Sequence, residues 1–453
     1  MLDLRNTGRR GQGTRFRLFP QPFFLESYRD PVVVELPIPP GSLAPGPADS
    51  RMYAIRPIGK TRPYGFTETG ALYLPPWSGP ILPPPAADAQ GHFDWLTPDD
   101  PRFLPAHAFA CAHFVLDVWE RFLGPVRWHF ADVFPRLEIL CLDGWDNGQG
   151  GFGFLELGEN IRWRGKAHSF ALNFDTIAHE IGHLLVFAHL GLPDPAEQSG
   201  EYRGFHEAMA DLVALVAAAH FDVVLEEVLE KTRGNLYVTN ELGRFAELSA
   251  SEQIRIASNG VTLEEFAIGW SDEHDLALPL LGAFFDILVE IFQTLLVERG
   301  HLPASIIEFA DNVERMQAFQ HPIDELYETA YARDPAGFRQ ALATARDLLA
   351  RYLAALLKAL PGAPISYARI RALTVAIEGR ITGGRFARAV EESFAWRRIG
   401  EVQVGPLLAA LPSRSHIGSA RTAVPPGWRK TGTVRPRRSL RKVRGSPERR
   451  CRS

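Results

Sequence analysis

Apolar residues recur at one period in the first quarter of the chain and at another through most of the remaining three quarters. Short apolar runs at 15–19, 32–36 and 52–57, separated by Pro and Gly, predict β-strands. Residues 75–102, with PPWSGPILPPPAADAQ at their start, predict an extended connector. Over 105–122 the spacing lengthens to that of a helix: Phe109, His113, Val115, Val118, Trp119 and Phe122, then the stop signal Gly124-Pro125. Stretches 127–130 and 138–142 read as strands, and 143–158 (DGWDNGQGGFGFLELG) as a Gly-rich loop feeding a strand. Beyond Ser169 the pattern predicts helices near 173–190, 204–219, 221–232, 279–299, 303–317, 335–360 and 382–396, with a long loop over 233–278. The most apolar stretch, 276–297, carries Asp286, Glu290 and Gln293 at i, i+4 and i+7. That is one polar stripe on a buried helix, so no membrane span is expected. There is no internal repeat.

This order predicts an α+β protein, with a β-rich part over 1–100, a mainly helical unit over 101–412 and a terminal tail over 413–453. The length of 453 residues suits two or three domains. With 46% apolar and 23% charged residues the composition is that of a soluble globular protein, not a fibrous or disordered one. The net charge of −4 is a sum of unlike parts. The last 41 residues hold 13 Lys and Arg against Glu448 alone, which leaves the body with 36 bases and 52 acids. Low in bulky apolar residues, the tail is expected to be disordered. It has the charge to bind a polyanion, nucleic acid or an anionic membrane surface, or it is simply a solvated end. Cys111, Cys141 and Cys451 are too few and too scattered for a disulfide framework, and no secretory signal is seen, so a reducing, cytoplasmic location is expected.

The sharpest chemical signal is HEIGH, 179–183, inside NFDTIAHEIGHLLVFAHL. His179 and His183, at i and i+4, project from one side of a helix and can share a zinc ion. Glu180 sits about 100° around the helix, where its carboxylate can take a proton from metal-activated water. Two residues compete as third ligand. His189 has the His spacing of H-E-x-x-H-x-x-G-x-x-H, but Val186 stands where the helix-breaking Gly is required, and neither Met209 nor Met316 suits a Met-turn. Glu207 lies in GEYRGFHEAMADLVAL, with Asp211 one turn on. It can complete the ligand set while Asp211 accepts the N–H of a ligating imidazole. His206 lies off the Glu207/Asp211 face and reads as a support or structural residue.

HEIGH followed by Glu207 and Asp211 resembles the thermolysin-like gluzincin zinc metallopeptidases, nearer to fungalysin-type and uncharacterised bacterial relatives than to thermolysin. AHAFACAHFVLDVWERFLG (106–124) is similar to the first helix of that catalytic domain, and WSDEHDLALPLLGAFFDIL (270–288) to the segment where a His stands ahead of a long helix. The resemblance covers 105–300 in pieces. It implies a zincin-type fold and zinc held by His179, His183 and Glu207. It further implies Glu180 as general base, Asp211 behind a ligand, and His274, placed before a helix start at Pro279, on the oxyanion. Asp272 is a candidate to orient His274. Tyr202 is the candidate for the Tyr that assists the oxyanion in the family. The strand 152–157 would be the sheet edge that pairs with an extended substrate. Asp175 matches an acid of a calcium site whose partner position is Ala218, so no calcium site is expected. Residues 1–100 would be propeptide-like or an accessory β unit. The implied activity is zinc-dependent endopeptidase hydrolysis of a peptide or protein substrate. The alternative is a non-catalytic zinc-containing peptide-binding or scaffold protein.

Overall fold

In the computed structural model the described residues are 13–66, 70–163, 166–192, 198–236, 240–245, 255–306, 320–361 and 364–408. The expected tail, and nearly all of the helix expected at 303–317, lie outside them.

The protein is α+β. Strands β1 (Thr14–Leu18) and β2 (Val32–Leu36) form an antiparallel hairpin. Strand β3 (Met52–Ile55) joins β6 (Leu137–Cys141), β8 (Phe154–Leu157) and β7 (Gly148–Gly151) in a four-stranded sheet of order β3-β6-β8-β7. Strands β4 (Gly65–Phe66) and β5 (Leu72–Tyr73) form a small pair in the segment between β3 and the first helix. Two further pairs come later in the chain: β9 (Glu159–Trp163) with β10 (Lys166–Ser169), and β11 (Arg244–Phe245) with β12 (Arg255–Ile256). The helices are α1 (Phe103–Leu123), α2 (Phe174–Leu190), α3 (Gly200–Ala218), α4 (Asp222–Thr232), α5 (Glu273–Glu298), α6 (Gln320–Arg333), α7 (Pro335–Ala359), α8 (Tyr367–Thr382) and α9 (Ala387–Trp396).

Inward residues of the sheet, among them Met52, Ala54, Leu137, Ile139, Leu155 and Leu157, belong to one buried cluster with the helices. Phe16, Leu18 and Leu36 of the first hairpin join the same cluster. Tyr64, Leu140, Leu142 and Phe154 form a second cluster on the opposite face. Strands β6 and β8 are thus buried on both faces, which accounts for their nearly unbroken apolar runs.

Four expectations change. Residues 127–130 are not a strand: turn hydrogen bonds from Ala131 to Trp128 and from Phe134 to Phe130 curl the chain. The segment 143–158 is a hairpin, β7 and β8, rather than a loop feeding one strand. The helix expected from 279 begins at Glu273, capped by the Asp272 carboxylate, with Pro279 inside it. The capping bond fixes the first turn before the proline is reached. The helix expected at 382–396 is the end of α8 plus α9, divided where Gly383 and Gly384 take positive φ.

Helix α5 is long and apolar enough to cross a bilayer, yet most of its apolar window is buried inside the protein. Its polar stripe has internal partners. Asp286 pairs with the buried Arg397 at 2.8 Å, and Gln293 donates to the Ile306 carbonyl.

His107 on α1 ties the first hairpin to the zone ahead of α2. Its Nε2 accepts from the Phe19 N–H at 3.0 Å, so Nδ1 holds the proton and donates to the Ala171 carbonyl at 2.7 Å. Burial pushes this imidazole down to about 4, against a smaller raising effect of the Ala171 carbonyl. Its folded value lies below the unfolded one of about 6.5, so the unfolded chain binds the extra proton first. Stability is full above pH 6.5 and falls as pH drops towards 4. In denaturant titrations across that window, His107→Gln should flatten the slope by about 1.4 kcal/mol per pH unit relative to wild type.

Candidate metal centre

Helix α2 starts where the Asn173 side chain accepts from the Thr176 N–H, and residues 174–187 are buried on every side. A helix of this kind lies at the centre of a fold, so its His-Glu-His set faces other elements rather than water. Helix α3 starts at Gly200, one turn earlier than the pattern suggests, because Ser199 caps it.

Helices α2 and α3 meet closely at Gly182, the glycine of HEIGH. A Cβ there would stand 2.7 Å from the Ala210 Cα and 3.1 Å from the Val213 Cβ. This approach brings Glu207 and Asp211 onto the two histidines. The Nε2 atoms of His179 and His183 are 2.9 Å apart. Glu207 offers Oε2 at 3.5 Å from the first and Oε1 at 3.7 Å from the second. Tetrahedral zinc with ligand bonds of 2.0–2.2 Å separates its ligand atoms by about 3.3 Å, and these contacts, which run to two different oxygens of Glu207, lie on either side of that value. His179 Nδ1 lies 2.8 Å from Asp211 Oδ1, which places its proton there and leaves a lone pair on Nε2. His183 Nδ1 lies 2.6 Å from His206 Nδ1. When His183 donates in that contact, its Nε2 is also an acceptor. Two lone pairs and a carboxylate then converge in a buried space, a donor set that fits a cation. Burial works to raise the Glu207 carboxyl, but His274, His183 and His179 more than offset it and hold it well below the usual range.

Glu180 is buried beside this group and faces the sheet. Its Oε2 accepts the Gly150 N–H of β7 at 2.6 Å. His274 stands in the first turn of α5, not before it. Its Nε2 is 3.3 Å from Glu207 Oε2, and its Nδ1 is 2.8 Å from Asp272 Oδ1. Asp272 therefore both caps α5 and orients the imidazole. Tyr202 is buried with its ring 5.7 Å from that of His206. His189 bonds the Leu185 carbonyl at the end of α2, away from the cluster, as an uninterrupted helix requires. Asp175 accepts from Gln21 of the N-terminal part at 3.2 Å.

The expected sheet edge needs correction. Strand β8 lies between β6 and β7, so the edge beside α2 is β7, residues 148–151. The tight turn at Phe152-Gly153 carries the chain from this edge strand inward to β8, and no apolar pattern marks GQGG as a strand.

Of two further partners near the site, His206 has the supporting place the sequence suggested and His129 was not foreseen. His206 stacks on His183 with centroids 4.8 Å apart and touches the Phe187 ring at 4.5 Å, and burial pushes it down to about 4. His129 packs against Phe187 at 5.1 Å. Nothing around WHF announces that placement.

Because Gly182 sets the gap between α2 and α3, Gly182→Ala should destabilise the fold by about 1–3 kcal/mol and weaken metal binding roughly tenfold. Thermal unfolding and metal titration measure the two effects separately. A variant matching wild type in both would mean that the helices have room to spare.

The sequence matches no protein-family profile and no curated protein. Among solved structures, the precursor of protealysin, a metalloproteinase from Serratia proteamaculans, is similar with a TM-score of 0.38 and 11% identity. The match covers 78% of this chain and 89% of that one.

Proposed function

We propose that the protein is a zinc-dependent endopeptidase of zincin type. The observation that carries this reading is the convergence of His179, His183 and Glu207 beside Glu180, whose carboxylate is fastened to the sheet edge. His179, His183 and Glu207 would hold the ion, with Asp211 fixing the His179 tautomer. Zinc bound there supplies Lewis-acid polarisation of a carbonyl and acidifies water.

The chain's own residues do the rest. An extended substrate lies along β7 by strand addition, which sets the scissile carbonyl near Glu180. Glu180 takes the proton of the attacking water and later passes it to the leaving amine. His274, with a carboxylate at each ring nitrogen, donates from Nε2 to the developing oxyanion. Tyr202, whose ring is 5.7 Å from that of His206, is a weaker candidate for the same task.

The test is elemental analysis of the purified protein together with cleavage of casein or a quenched peptide, before and after chelation. About one zinc per chain and activity restored by added zinc support the reading. A protein that takes up no divalent metal, or one that is loaded yet cleaves nothing, ends it.

A further inference from the structure

The outer face of the sheet holds a buried polar group that the chemistry above does not use. Glu138 on β6 and Glu156 on β8 point away from the helices and are 1% and 0% exposed. Glu138 accepts from the Tyr53 and Tyr64 hydroxyls and the Trp77 N–H. Glu156 accepts from Lys60 Nζ at 2.7 Å, from the Tyr64 N–H at 2.8 Å and from Gln149 Nε2 at 2.6 Å. Lys60 Nζ lies 3.8 Å from the Tyr64 ring centroid and 4.7 Å from that of Tyr73, and it donates to the Arg62 carbonyl. An ammonium so enclosed by aromatic faces and a carboxylate is held in one place.

Gln149 connects this group to the candidate centre. It is the one residue of GQGG with a side chain, and it stands directly opposite Glu156 in the β7–β8 register. Its amide also donates to the Tyr64 carbonyl at 3.1 Å. Its neighbours face α2 and must be bare. A Cβ on Gly150 would stand 2.9 Å from the Glu180 carbonyl oxygen, and one on Gly148 would stand 3.1 Å from the Thr176 methyl. The inner side of β7 therefore has no side chain to grip the helix, and within β7 only Gln149 anchors the strand through a side chain. The same strand presents the Gly150 N–H to Glu180.

We propose that Lys60, Glu156 and Gln149 form a buried pin that fixes β7 from behind, making Gln149 a positioning residue for the Glu180 carboxylate. The catalytic part of this rests on Glu180 being the general base. The pin itself is a matter of strand position and can be read without turnover.

The test compares wild type with Gln149→Met, which keeps length and removes the amide, by amide hydrogen exchange on the full chain. The Gly150 amide should exchange at least about tenfold faster, while the Leu349 and Leu353 amides in the core of α7 stay unchanged. A general loss of stability would move both sets. A second variant, Lys60→Met/Glu156→Leu, replaces the ion pair with apolar groups that a core tolerates. It should speed Gly150 exchange by a similar factor, and adding Gln149→Met to it should give clearly less than the product of the separate effects, the remainder being the Gln149 bond to the Tyr64 carbonyl. In the active enzyme kcat should fall about tenfold in each variant, as expected when a reacting group is slightly misplaced, with zinc content unchanged. Unaltered Gly150 exchange, additive effects, or faster exchange with unaltered kcat overturns the pin. If the wild type proves inactive, the endopeptidase reading falls and the exchange data alone decide the pin.

Discussion

Replacing Glu180 by Gln should lower kcat for peptide cleavage by about 10²–10⁴-fold while leaving bound metal unchanged. The two side chains are nearly isosteric, and the amide oxygen of Gln can still accept the Gly150 N–H that Glu180 accepts at 2.6 Å. What is lost is the ability to hold a proton between attack and departure. His179 and His183 keep their contacts to Asp211, His206 and Glu207, none of which the substitution removes. Metal content and unfolding temperature thus act as controls for a kinetic effect. Activity within a few-fold of wild type would remove Glu180 from the proton-transfer role.

Glu207→Ala should have the opposite signature, with loss of metal first and of activity as a consequence. Apparent zinc binding of about 10–16 kcal/mol in structural sites is shared over four ligands, so losing one of three protein ligands should weaken affinity by two orders of magnitude or more. The carboxylate also offsets the charge of nearby imidazoles, with His274 Nε2 at 3.3 Å and His179 Nε2 at 3.5 Å. The Glu207 carboxyl is held well below its usual value of 4.5, so the stability it contributes to the metal-free protein is present above that pH and lost as pH falls through and below it, and the metal-free variant should differ most from wild type near neutral pH. Competitive metal titration at neutral pH and unfolding curves at pH 7 and 3 measure the two effects. Unchanged affinity would move the third ligand elsewhere, with His274 the nearest candidate.

Much of the candidate centre was legible because its chemistry is local. HEIGH declares two imidazoles one turn apart and a carboxylate between them, and the i, i+4 pair Glu207 and Asp211 on an apolar helix demands a partner for both acids. Cap residues and apolar periods also placed α2, α4 and α7 within a residue or two. Legibility ended where a residue's role depends on something distant in the chain. GQGG carries no strand signal, yet it forms the sheet edge, because bare glycines are what lets a backbone lie against α2. Pro279 looked like a helix start, whereas the Asp272 cap had already begun the helix. Nothing in the local sequence singles out Lys60, Glu138 and Glu156, which are buried in one polar group beneath the segment after β3.

The sequence by itself determined the ligand types, their spacing along each helix and the α+β order, because helix geometry turns local spacing into a shared face. Only the tertiary structure decided which faces meet. Contact between residues far apart in the chain is set by close packing, and a gap the width of one missing Cβ at Gly182 allows Glu207 to reach His179 and His183.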